Sequence, residues 1–330
     1  MSEVVAAVLL TGGTLYAVFG GADFGVGFWD LVAGGAERGA SPRALIDRAI
    51  GPVWEANHVW LIFCLVVLWT GFPDAFAAVM STLYVPLLAA AFGIVLRGAG
   101  FAFRKVVVRL AGRRLFGALF AFSSVLTPFF MGAVIGAVAS GRVPADGGGD
   151  RWSSWTGLTS IVIGLLFVAA CAYLAAVFLV ADARRSGEQD LAGYFRLRAL
   201  GAAVAAGALA LAGVLALRHD ARFVYDGLTQ EGLPLVIVSA LAGAGALVLL
   251  VRGARRGARP LAVLAVAAVV WGWGVAQYPY LLPTSLTVSK TAAPDDSLIA
   301  LLVVFGAAAL VVAPALALLY SLQQRSMLDE

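Results

Sequence analysis

The sequence predicts an all-α integral membrane protein of about nine transmembrane helices, and three observations carry that prediction. Of 330 residues, 62% are hydrophobic and 13% are charged, about half the charge of a soluble domain. Apolar stretches long enough to cross a bilayer, roughly 20 residues each, recur between short polar breaks. The basic residues are distributed unevenly between alternate breaks. Mean hydropathy is +0.94, and no single aqueous domain has enough interior to hide so much apolar surface. A soluble enzyme, a disordered chain and a secreted disulfide scaffold are excluded.

The predicted spans are 4–32, 52–70, 75–96, 115–140, 157–181, 199–217, 233–251, 260–282 and 297–320. The first begins in MSEVVAAVLL, which lacks a basic n-region and a small-residue cleavage site and reads as a retained span. The second opens at Pro52, a residue suited to a first helical turn. A basic break beginning at Arg97 closes the third. The DGGGD stretch around Gly147 separates the fourth from the fifth, and a polar stretch around Ser186 separates the fifth from the sixth. YPYLLPTS at 278–285 ends the eighth. Helices rather than barrel strands follow from these lengths, since barrel strands run to about ten residues of alternating polarity.

Counting every other break from the first, 18 of the 23 Lys and Arg fall on one side. By the positive-inside rule this side is cytoplasmic. The N-terminus is expected outside and the C-terminus inside, which requires an odd number of spans. The basic pI of 9.3 then reflects loops beside anionic lipid rather than nucleic-acid binding. The chain reads as one membrane domain, 1–330, with spans grouped as 1–140, 157–282 and 297–320. Two four-helix bundles plus one peripheral helix are expected. The loops are long enough for a short amphipathic helix and too short for an aqueous catalytic domain.

Charged groups inside a membrane are costly, so each is a functional candidate. Asp23 and Asp30 lie in GADFGVGFWD, seven residues apart and so on nearly one helix face. Glu55 lies in IGPVWEANHVW, with His58 at i+3 on the same face and Trp54 and Asn57 beside them. These acids and His58 are proton-pathway candidates. Each also has a plainer explanation: Glu55 suits a positive helix end, Asp23 and Asp30 can sit at the inner interface, and His58 can be a packing residue. Gly21 and Gly25 form one GxxxG spacing, and Gly132 and Gly136 another. Cys64 and Cys171 read as small buried hydrophobes. With only His58 and His219, on opposite sides by the expected topology, the chain is not expected to ligate a metal; if it belongs to a redox complex, the metal ligands must come largely from a partner.

The stretch GADFGVGFWDLV resembles the first-span signature of subunit II of cytochrome bd-type quinol oxidases. The long run from Pro52 to Arg104 resembles that subunit's second and third spans, and QYPYLLPTSLTV its segment before the last span. The resemblance is close over the first third and thinner beyond it. It implies a bacterial plasma-membrane complex that oxidises quinol, reduces O2 to water and builds proton motive force without pumping. Haem b and haem d would lie in a partner subunit I, with none ligated by this chain. This subunit would support assembly of subunit I and cytoplasmic proton delivery. Small single-span subunits, quinone and lipids are further partners such a complex implies. Asp23 matches the acid of the first-span motif. Glu55 matches an acid that is Asp in other members, and His58 a position that is Gln in relatives. Trp54 and Trp60 match flanking aromatics at the motif and subunit interface. Two other readings compete: a proton-coupled secondary transporter and a purely structural membrane subunit.

Overall fold

The computed structural model describes residues 1–35, 37–50, 54–107 and 109–324. Helix α1 (Ser2–Leu15), a π-helical stretch (Tyr16–Gly20) and α2 (Gly21–Leu31) run on as one 30-residue span. After it come α3 (Ala40–Ile50), the single turn α4 (Trp54–Asn57), α5 (Val59–Gly71) and α6 (Pro73–Thr82). The long helices α7 (Tyr84–Val106), α8 (Leu110–Ala139), α9 (Leu158–Arg185) and α10 (Gln189–Asp220) follow. The short α11 (Arg222–Thr229) leads to α12 (Leu233–Val251) and α13 (Ala258–Gln277). Strands β1 (Tyr280–Leu282) and β2 (Leu286–Thr287) pair antiparallel, and α14 (Asp295–Gln324) ends the described chain.

Among the described residues, eight helices are long and apolar enough to cross a membrane, and nine if the bent pair α5–α6 counts as one span. The predicted second and third spans are the ones that shift. Helices α5 and α6 meet at 118°, so residues 73–82 turn away instead of opening a third span at 75. Pro73 starts α6 after Phe72 leaves helical geometry. Pro86, which has no N–H, cannot bond back to Thr82, so the chain breaks at Leu83 and the third span begins at Tyr84. The short helices α3 and α11 occupy two of the predicted connections, whereas the β1–β2 hairpin falls partly within the predicted eighth span.

Contacts between distant segments sort the helix ends into two sets. At one set, Tyr278 Oη donates to Glu3 Oε1 at 2.7 Å, the Ala293 N–H to the Gly71 carbonyl at 2.9 Å, and Arg142 Nη2 to Asp220 Oδ1 at 2.7 Å. At the other, Arg43 and Arg104 reach Asp30, Arg48 pairs with Glu188, and Arg184 Nη1 donates to the Ala254 carbonyl at 2.5 Å.

Helices α7/α8, α9/α10 and α12/α13 pack as hairpins, and α2 lies against both α8 and α9. From Cys171 to Val177 every residue of α9 is buried, which makes this helix the centre of the main core. Close packing there depends on small residues. A Cβ at Gly136 would lie 2.6 Å from Ser160 Cα, and one at Gly132 2.7 Å from the Ile163 carbonyl, so this GxxxG spacing is a helix contact. By contrast, α14 touches mainly α5 and α1 and leaves Val303, Val304, Leu310 and Val311 exposed.

Candidate functional site

Helix geometry places residues seven apart two turns along one face, roughly 10 Å apart. On α2 this spacing relates Asp23 to Asp30, and on α7 it relates Arg97 to Arg104. The two helices turn these faces toward α8, and the four side chains form a ladder of two carboxylate–guanidinium rungs.

The upper rung lies wholly in the interior. Arg97 Nη1 is 3.0 Å from Asp23 Oδ2, with the two side chains 1% and 2% exposed. That separation makes an ion pair, although the alignment is not that of a hydrogen bond. Arg97 Nη2 donates to the Asp23 carbonyl at 2.9 Å and Nε to Ser124 Oγ at 3.0 Å. Ser124 in turn donates to the Phe120 carbonyl at 2.6 Å. One guanidinium therefore joins α2, α7 and α8.

In the lower rung, Arg104 Nη1 donates to Asp30 Oδ2 and Arg43 Nε to Asp30 Oδ1, both at 2.7 Å. Arg104 also pairs with Asp47. Arg43 Nη2 donates to the Gly34 carbonyl at 2.7 Å. Asp30 thus uses both oxygens and fastens α3 to α2 and α7. Phe120, fully buried, sits between the rungs, with Arg97 5.0 Å and Arg104 4.4 Å from its ring centroid. These are cation–π contacts. Asp30→Asn keeps the shape but removes the charge from both arginines. Because Arg43 and Arg104 retain some solvent exposure, the expected cost is about 1–3 kcal/mol. Limited proteolysis between Val32 and Ile50 should accelerate; unchanged cleavage would show that the clamp does not hold α3.

Above the upper rung lies an aromatic cluster. Tyr16, Phe24 and His58 stand with ring centroids 6.3 Å (Tyr16–Phe24), 6.3 Å (Tyr16–His58) and 6.0 Å (Phe24–His58) apart. Arg97 lies over the Phe24 ring at 5.1 Å. Trp60 packs against this group, and Asn57 is buried. The side chains of Trp54 and Glu55 lie outside the described part of the structure, so the structure does not place the Glu55 carboxylate. Asp23 and His58 are brought to one cluster; Asp30 is held apart from them by Phe120.

Arg97 corrects a prediction. The sequence places it at the head of a basic loop, but it lies inside α7 and is 1% exposed. The signal that could have revealed it is the matched spacing of seven, Asp23/Asp30 against Arg97/Arg104. Of the glycine pair on α2, only Gly25 is a tight contact: a Cβ there would lie 1.9 Å from the Cys171 carbonyl oxygen, against 3.4 Å from Cys171 Sγ at Gly21. Cys171 is buried, while Cys64 is only partly so. Among the described residues no group of three His, Cys, Asp or Glu side chains could hold a metal ion.

Comparison with known proteins adds to this geometry. The family model described as cytochrome bd terminal oxidase subunit II matches residues 1–323. The chain is 30% identical over 143 residues to cytochrome bd ubiquinol oxidase subunit 2 of Bacillus subtilis (strain 168), covering 43% of this chain and 40% of that one. It is 29% identical over 134 residues to cytochrome bd-I ubiquinol oxidase subunit 2 of Escherichia coli (strain K12), covering 41% and 34%. The matched region is thus less than half the length of either relative. The whole fold is similar to a chain in the structure of bd oxidase from Geobacillus thermodenitrificans, with a TM-score of 0.79, 25% identity, and coverage of 97% of this chain and 98% of that chain.

Proposed function

Because the chain belongs to the cytochrome bd terminal oxidase subunit II family, we propose that it is the non-haem subunit of a bacterial plasma-membrane quinol oxidase that reduces O2 to water. The observation that carries this reading is the family match across residues 1–323, supported by fold similarity along nearly the entire chain. Haem b and haem d, held by a partner subunit I, supply the redox chemistry of the complex. This chain supplies a scaffold for that partner and a route for cytoplasmic protons. Its N-terminus lies outside and its C-terminus in the cytoplasm.

Within that route the residues divide by their surroundings. Asp30, saturated on both oxygens, anchors α3. Neither Asp23 carboxylate oxygen has a hydrogen-bond partner among the described residues, although Oδ2 lies 3.0 Å from Arg97 Nη1. The carboxylate can therefore bind water while Arg97 balances its charge. Glu55 stands three residues before His58 and feeds this cluster from the preceding turn. Oxygen reduction consumes protons at a buried site. Taking them from the cytoplasm while quinol protons leave outside separates charge without a pump.

The Asp23–Arg97 pair also favours a second reading, a purely structural subunit, because buried pairs fasten helices whether or not protons pass. Co-expression with a haem-bearing subunit I, followed by absorption spectra and quinol-driven oxygen uptake, tests the assignment to the oxidase. Loss of this chain should abolish uptake; undiminished uptake without it refutes the assignment. Glu55→Gln and the paired change Asp23→Asn with Arg97→Gln separate the two roles. Proton delivery predicts intact haems with oxygen uptake slowed about tenfold or more. Full uptake in both leaves scaffolding alone.

A further inference from the structure

We propose that the Tyr16 hydroxyl is a proton-relay group between His58 and Asp23, working through bound water. This rests on the proton-delivery reading above and adds to it a residue that neither the sequence motifs nor the comparisons single out.

The backbone around Tyr16 departs from regular helix. Tyr16 opens the π-helical stretch Tyr16–Gly20 inside an otherwise α-helical span, an irregularity found disproportionately at functional sites. A Cβ at Gly20 would lie 2.7 Å from Tyr16 Cε2. Glycine at that position leaves room for the ring to lie back along its own helix, where it meets Phe24 and His58. The ring is 7% exposed, and its hydroxyl has no hydrogen-bond partner among the described residues.

Two more polar atoms around the same aromatic cluster are in the same condition. His58 Nδ1 and Asp23 Oδ1 are buried, and neither has a hydrogen-bond partner among the described residues. Asp23 is 3% exposed, and Arg97 balances its charge from 3.0 Å without a hydrogen bond. A buried polar atom without a hydrogen bond is costly, and three around one cluster are a heavy penalty for packing alone. Together they offer a carboxylate acceptor, an imidazole nitrogen and a hydroxyl that both donates and accepts, a set suited to ordered water.

The relay step balances without any other reactant. A protonated water on the His58 side, carrying the proton drawn from the cytoplasm, gives it to a lone pair of Tyr16 Oη as the phenolic proton leaves to water on the Asp23 side, so the positive charge moves on and neutral water stays behind. One O–H bond forms and one breaks. The phenol is neutral before and after, and rotation of the hydroxyl resets it.

The test is Tyr16→Phe in the complex assembled with its haem-bearing subunit, since this change removes one oxygen and leaves the ring. Oxygen uptake is expected to fall about tenfold with haem absorption unchanged. The solvent deuterium isotope effect on turnover should rise, because proton transfer becomes the slow step. A merely structural hydroxyl would not move that isotope effect. Unchanged rate and isotope effect overturn the relay. So does failure of the Tyr16→Phe chain to assemble, which would assign the hydroxyl to structure. If Glu55→Gln slows turnover while Tyr16→Phe does not, only the Tyr16 relay falls. If neither slows it, nor does the paired Asp23/Arg97 change, the proton-delivery reading falls as well.

Discussion

Arg97→Ala is expected to cost the folded chain about 3–5 kcal/mol, the usual penalty for removing one partner of a buried ion pair. The carboxylate of Asp23, 2% exposed, would be left without its counter-charge in a membrane interior, where an unpaired charge is costly. Ser124 Oγ and the Asp23 carbonyl would lose their donors at the same time. Arg97→Lys should recover only part of the loss. A single ammonium on a flexible stem cannot reproduce a planar fork reaching the Asp23 carboxylate, the Asp23 carbonyl and Ser124 together. The paired change Arg97→Leu with Asp23→Leu removes both charges and should recover most of the stability, because two apolar groups cost nothing to keep from water. Thermal unfolding of the purified complex, compared across these variants, reads the order directly. If Arg97→Ala unfolds within a degree or two of the parent chain, the buried pair is not what joins α2 to α7.

How much of this was legible in the sequence depended on whether a residue's surroundings lie nearby in the chain. The spans were readable because each is a local run of apolar residues, and the basic residues between them marked their ends. The α5–α6 elbow is hidden because apolar content continues across it, although Phe72-Pro73 and Pro86 are visible breakers. The burial of Arg97 is hidden for a related reason. A basic residue at the end of an apolar run normally reaches the interface, and only its three-dimensional meeting with Asp23, 74 residues away in sequence, keeps it inside. Asp23 and His58 stand out in the sequence by polarity and by their places in the motifs, but their sharing of one cluster is not readable there. Nor is Tyr16, which looks like any aromatic in a membrane span until the π-helical stretch and Gly20 fold its ring toward Phe24 and His58. Asp30 shows the opposite limit. Its polarity marks it as a candidate, and only the fold shows that arginines occupy both its oxygens.

The contrast between Gly21→Ala and Gly25→Ala should be large, although both glycines belong to one GxxxG spacing. In α2 the added Cβ of Gly21→Ala would sit 3.4 Å from Cys171 Sγ, an ordinary contact. Alanine also favours a helix over glycine by about 1 kcal/mol, so this variant should be neutral or slightly more stable. At Gly25 the same methyl would sit 1.9 Å from the Cys171 carbonyl oxygen and 2.6 Å from Ala175 Cβ. Neither neighbour can yield: one is backbone of the central helix and the other is a buried methyl in its core. Helix α2 must therefore move away from α9. That displacement would stretch the 2.8 Å hydrogen bond from Trp29 Nε1 to the Ala172 carbonyl and disturb the position of Asp23 against Arg97. Overpacking of this kind costs about 1–3 kcal/mol and sometimes more, and the loss of a buried hydrogen bond adds about 1 kcal/mol. Gly25→Ala should thus lower the unfolding temperature clearly and alter Trp29 emission, while Gly21→Ala changes neither. Equal shifts in the two variants would show that α2 is not held against α9 at Gly25, and that the Asp23–Arg97 rung is positioned by α7 and α8 instead.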